Sequence, residues 1–70
     1  MTYNEFLFLV IKTLPNDGET RLGQHYFNTL TETRPEIAKR IQATKLDPFY
    51  LNSVPEETEK AIRGLWEQQL

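Results

Sequence analysis

Apolar positions recur along this chain at intervals of three and four residues, the spacing that stacks side chains on one face of an α-helix. The cleanest stretch holds Leu22, Tyr26, Phe27 and Leu30 on one arc and Arg21, Gln24, Asn28 and Glu32 on the other. It predicts a helix over about Glu19 to Thr31. An earlier stretch, Tyr3 to Leu14, places Tyr3, Phe6, Leu7, Val10, Ile11 and Leu14 in one broad arc and Glu5 and Lys12 opposite. Phe8 and Leu9 flank that polar side, so a bundle built on the main arc leaves at least one large apolar group near water. The run Phe6-Leu7-Phe8-Leu9-Val10-Ile11 also has the β propensity of a strand, but its length and the start signal before it decide for helix.

That start signal, [ST]-x-x-E, occurs three times: Thr2-Tyr3-Asn4-Glu5, Thr33-Arg34-Pro35-Glu36 and Ser53-Val54-Pro55-Glu56. The hydroxyl accepts the third helical N–H while the Glu carboxylate accepts the cap's own N–H, which satisfies two donors that a helix start otherwise orphans. The second signal predicts a short helix ending near Thr44, with Pro35 tolerated in its first turn and Ile37, Ala38 and Ile41 facing inward. The third predicts a helix from about Pro55 to Gln68, with Ala61, Ile62, Leu65 and Trp66 on one arc and a frayed tail beyond. Glu56/Lys60 and Glu59/Arg63 supply i,i+4 pairs in the favourable order.

Between these segments the chain writes breaks. Pro15 stops the first helix, Gly18 permits positive φ, and Asn16 or Asp17 can cap the second helix. Lys45 to Asn52 reads as a structured loop with Asp47 as cap and Pro48 behind it, in which Leu46, Phe49 and Leu51 plug the core. Gly23 lies inside the apolar arc of the second helix, where it costs about 1 kcal/mol against alanine; close approach of a neighbouring helix is the expected compensation. The four elements predict an all-α fold, a small irregular, orthogonal bundle sharing one core across residues 1–70 as a single helical domain.

Length limits what such a bundle can do. A chain of 70 residues buries roughly 60% of its unfolded surface, which leaves a small core and no room for an elaborate cleft. The absence of cysteine removes disulfides, thiolate nucleophiles and sulfur metal sites together. With no cationic n-region leading into an apolar segment, a cytoplasmic setting is expected. The longest apolar run falls far short of the ~18 residues that a membrane span needs, so no membrane partner is expected. The net charge of −2 gives no long-range attraction to nucleic acid, and binding there would require a local patch.

Catalysis finds few candidates. His25 is the single histidine, at the edge of the second helix's polar arc with Thr29 and Glu32 one and two turns on, but a base there lacks a nucleophile and an oxyanion donor. It reads as a solvated surface histidine. One His, no Cys and carboxylates spaced to meet Lys or Arg argue against a metal, and no glycine-rich phosphate loop is present. Glu56, Glu57 and Glu59 complement the start of a helix dipole. The expectation is a protein with no enzymatic activity, no metal and no cofactor.

Binding is better supported. Phe8 and Leu9, on the wrong side of the first helix, mark a protein-contact surface or a self-association face, since exposed apolar patches on small proteins mark contacts. Arg21, Gln24 and Asn28, at i, i+3 and i+7, could grip a partner's backbone or instead lock the Asp47-Pro48 loop, and the locking role is the simpler. A nucleic-acid alternative rests on Arg34, Lys39, Arg40 and Lys45, a locally basic stretch that comes after two helices in helix-turn-helix fashion. Lys39 and Arg40 diverge by about 100° around the helix, and Pro48 breaks the element where a recognition helix would continue.

Residues 21–50 carry the pattern R-x-G-Q, N-x-L, R-P-x-[IL]-A and D-P-F, matched by Arg21, Gly23, Gln24, Asn28, Leu30, Arg34, Pro35, Ile37, Ala38, Asp47, Pro48 and Phe49. In this the chain resembles a group of small uncharacterised proteins of bacteria and their phages. The resemblance implies a compact accessory protein, transfers no mechanism, and adds weight to Arg21, Gln24, Asn28 and Asp47 as a unit.

Overall fold

Helix α1 (Tyr3–Thr13) starts where the sequence signal places it. The Thr2 hydroxyl accepts the Glu5 N–H at 3.1 Å and the Glu5 carboxylate accepts the Thr2 N–H at 2.7 Å, a complete capping box. The Thr2 N–H, and after it the Thr2 hydroxyl, hold the Glu5 carboxyl below its ordinary pKa. The computed structural model describes residues 1–68, and the expected fraying beyond Gln68 lies outside them. Over this range the fold is all-α, with α2 (Leu22–Thr33), α3 (Pro35–Ile41) and α4 (Glu56–Gln68) following α1 and no strand among the described residues. Helix α2 packs against both α1 and α3, and α3 against α4.

Several boundaries differ from the sequence expectation for local reasons. Helix α2 begins at Leu22 rather than Glu19; ahead of it the Asp17 carboxylate accepts the Glu19 and Thr20 N–H groups at 2.9 Å each and the Thr20 hydroxyl at 2.8 Å. These bonds close a separate turn around Gly18, which sits in the left-handed region at φ 73°. The same donors, Thr20 and Glu19 N–H first, pull the Asp17 carboxyl down to about 2. The Thr33 signal does not cap α3 either. Thr33 is the last residue of α2, its hydroxyl donates to the Thr29 carbonyl at 2.9 Å, and Arg34 both closes α2 and opens α3. At the third signal the Pro55 carbonyl accepts from Thr58 and Glu59, and the Ser53 hydroxyl makes no hydrogen bond among the described residues. Helix α3 stops at Ile41 rather than near Thr44; Ala43 lies just beyond it in the left-handed region at φ 61°.

One buried cluster collects Tyr3, Phe6 and Val10 from α1, Tyr26, Phe27 and Leu30 from α2, Ile37, Ala38 and Ile41 from α3, and Ile62 and Trp66 from α4. Its aromatic centre is Phe6, edge-on to Tyr26 at 5.1 Å and tilted against Trp66 at 5.0 Å. Such ring pairs add about 0.5–1.5 kcal/mol beyond their area. Trp66 also donates its indole N–H to the Met1 carbonyl at 2.9 Å, which ties α4 to the start of the chain. The core contains one polar pair, the Tyr3 and Tyr26 hydroxyls at 2.8 Å, and burial raises the pKa of both.

The loop between α3 and α4 is part of this core. Pro48 is buried, Leu46 and Phe49 pack against the cluster, and the buried Thr58 hydroxyl of α4 donates to the Leu46 carbonyl at 2.9 Å. Leu51, expected as a plug, is exposed. Its backbone serves instead: the Gly23 N–H donates to the Leu51 carbonyl at 3.1 Å. Gly23 thus meets this loop rather than the neighbouring helix expected of it. A Cβ at position 23 would land on the Pro48 carbonyl oxygen.

Candidate protein-binding surface

The outward face of α1 depends on how the helix is turned. Tyr3, Phe6 and Val10 sink fully and Leu9 is half-buried, while Ile11, expected inward, swings out to 73% exposure and Leu14 is exposed beyond the helix end. Phe8 is 70% exposed, as its position opposite the main arc requires. Phe8 and Ile11 stand at i, i+3, neighbours on one helical surface. The apolar patch is therefore Phe8 with Ile11, not Phe8 with Leu9. The inward expectation for Ile11 fails because a broad apolar arc does not say which of its edges faces the core.

The turn of α1 is fixed by a contact that periodicity does not encode. Pro15 has no N–H to offer the last turn, and the Leu14 N–H goes to the Ile11 carbonyl at 3.5 Å. His25 on α2 takes the neighbouring Val10 carbonyl at 3.0 Å through Nε2, with the Thr13 hydroxyl also at 3.0 Å. A carbonyl can only accept, so Nε2 carries the proton. Thr13 in turn donates to the Leu9 carbonyl at 2.7 Å. His25 is thus a half-buried tie between α1 and α2 and not the solvated surface histidine expected. A proline just past a helix end, which removes a donor, is the signal that could have pointed to it.

Arg21, Gln24 and Asn28 lie along α2 and its cap, with Arg21 and Asn28 exposed and Gln24 half-buried. Arg21 donates from a guanidinium nitrogen to the Tyr50 carbonyl at 3.0 Å. Asp47 holds the same loop from inside, accepting the Phe49 N–H at 3.0 Å and the Ala43 N–H at 2.8 Å. Arg21 and Asp47 therefore converge on one loop from two sides, whereas Gln24 and Asn28 make no side-chain hydrogen bond among the described residues.

The four basic residues do not form one surface. The Arg34 guanidinium lies 4.7 Å from the centre of the Trp66 ring and donates to the Met1 and Thr33 carbonyls, which withdraws it into the fold. Lys39, Arg40 and Lys45 remain exposed. Arg63, expected to pair with Glu59, instead lies over the Tyr3 ring at 5.1 Å, and the one ion pair among the described residues is Lys60–Glu56 at 3.5 Å. Such an exposed pair contributes little. Among the described residues no three His, Cys, Asp or Glu side chains gather as a metal would need, and no helix is long and apolar enough to cross a membrane.

Comparison with known proteins returns nothing. No family model matches the chain, and neither a curated protein nor a solved structure is detectably similar to it.

Proposed function

We propose that this chain is a non-catalytic accessory protein that acts by binding another protein through the outer face of α1. The observation that carries this reading is the exposure of Phe8 and Ile11, side by side on a helix whose other apolar groups are buried or half-buried. Full burial of a Phe or Ile side chain is worth about 1.5–3 kcal/mol, so leaving two such groups in water forgoes several kcal/mol in a protein with a small core. Contact with a partner recovers that energy. A cytoplasmic setting is part of the same reading, and the resemblance to small bacterial and phage proteins supports an accessory role.

A second copy of the chain is the first partner to test, because the same face on two copies makes a self-complementary contact. A stable interface takes about 800 Å² from each partner, roughly one-sixth of the 4905 Å² surface here. Phe8 and Ile11 would be its centre and Asn4, Glu5 and Lys12 its rim. Sizing and cross-linking across a salt series, together with affinity capture from the native cell, test the reading with Phe8→Asp as the control. A complex that persists at high salt and is lost in Phe8→Asp, with the helical spectrum intact, is the expected result. A monomer whose captured partners are unchanged by the substitution would remove the reading, and binding to duplex DNA that collapses at moderate salt would favour Lys39, Arg40 and Lys45 instead.

A further inference from the structure

A recess away from the exposed Phe8–Ile11 face of α1 has a different chemistry. Its volume is about 310 Å³ and its lining is Phe27, Gln42, Ala43, Asp47, Phe49 and Tyr50. Phe49 is the shared wall. Its ring stands at 84° to Phe27 with centroids 6.1 Å apart, and at 75° to Tyr50 with centroids 5.0 Å apart. Two near-perpendicular junctions among three rings make an aromatic corner. Phe27 and Phe49 belong to the core's edge, but Tyr50 is 77% exposed and adds almost nothing to core burial.

The polar lining of the recess is the Gln42 amide and one anionic group, Asp47. Asp47 accepts one backbone N–H on each carboxylate oxygen, from Phe49 and Ala43, which leaves about half of its acceptor capacity unused. No cation pairs with it among the described residues. A neutral apolar guest would have to share the recess with this carboxylate and strip its water without offering a charge in return. A cation meets both features at once, since ring faces carry negative potential and Asp47 carries a full charge. A bare ammonium is strongly hydrated and brings three donors, more than the unused acceptor positions of Asp47 can meet, and the ring faces accept none of them well. A fully methylated, quaternary ammonium presents apolar methyl groups over a spread charge and has no N–H that asks for an acceptor.

We propose that the recess formed by Phe27, Phe49, Tyr50 and Asp47 is a binding site for a methylated ammonium group. The group could arrive on a methylated lysine side chain or as a free quaternary ammonium compound; the recognising chemistry is the same. This site stands independently of the α1 contact face.

The test is a two-dimensional NMR titration of the full 70-residue chain with choline, with an N-acetyl trimethyl-lysine amide, and with 3,3-dimethylbutanol, the uncharged carbon isostere of choline. Saturable shifts centred on Phe27, Asp47, Phe49 and Tyr50, with the isostere at least about tenfold weaker, are expected. Equal affinity for the isostere would overturn the proposal, as would shifts that fail to saturate or that centre elsewhere. Tyr50→Ala removes an exposed ring and leaves the core intact, so it should weaken choline binding by about tenfold; unchanged affinity in that folded variant counts equally against the site. Tighter binding of the lysine derivative than of choline identifies a modified side chain as the source, and the reverse order identifies a free cation.

Discussion

The hydroxyl groups of Tyr3 and Tyr26 meet at 2.8 Å between α1 and α2, each the other's hydrogen-bond partner inside an otherwise apolar cluster. Removing one strands its mate. Tyr3→Phe or Tyr26→Phe should each cost about 1–3 kcal/mol in urea unfolding, and the double substitution should cost less than their sum because no orphan is left. Burial, the largest cause in both, raises both phenol pKa values. The stability this represents is present below pH 10 and lost as pH climbs beyond it, because the unfolded phenols ionise first. The double Phe variant should show a shallower alkaline decline.

Gly23 and Gly64 should respond to alanine in opposite directions. At position 23 the new Cβ would strike the Pro48 and Leu51 carbonyls, backbone atoms that already accept from Leu51 and Gly23. Displacing that loop should cost roughly 2 kcal/mol or more. Position 64 lies exposed within α4 with open space around it, so Gly64→Ala should gain about 1 kcal/mol in helix propensity. Thermal unfolding of both variants checks the pair.

Asp17 sets an acid-sensitive turn. Its pKa is lowered to about 2 by the Thr20 and Glu19 N–H groups and the Thr20 hydroxyl, so its contribution is present above about pH 4 and lost as pH falls through 2. A carboxyl carbon titration by NMR should place its midpoint near 2, with the Glu19 and Thr20 amides tracking it. A midpoint near 4 would mean that the turn is not closed by these bonds.

Arg34 should behave as a structural residue and Lys39 as a surface one. Arg34→Lys keeps the charge but loses the flat guanidinium over Trp66 and its two-sided donation to Met1 and Thr33, and should cost about 1 kcal/mol. Lys39→Ala should stay within about 0.5 kcal/mol of the parent in the same urea unfolding series.

Much of the architecture was legible residue by residue. The Thr2–Glu5 box, the proline after α1, the Leu22/Tyr26/Phe27/Leu30 arc and the Ile37/Ala38/Ile41 face all appear where the sequence puts them. Local competition defeated the rest. Asp17 closed a turn of its own ahead of α2, while Thr33 bonded backward and left α3 uncapped. Of the candidate surfaces, Phe8 was readable because it stands opposite the main apolar arc of its helix. Ile11 and Tyr50 were not, since their exposure depends on what does or does not lie beside them.

The sequence alone determined that the chain makes four helices, where α1 lies and about where α4 begins, because 3.6-residue periodicity, the Thr2–Glu5 cap and prolines act within a few residues of themselves. Tertiary structure decided how each helix is rotated, which loop presses on Gly23, and which cations are spent on Trp66 and Tyr3. Those outcomes depend on contacts between residues far apart in the chain, such as His25 with Val10 and Trp66 with Met1. No local pattern encodes them, since each side chain's choice of partner is settled only once every element is in place.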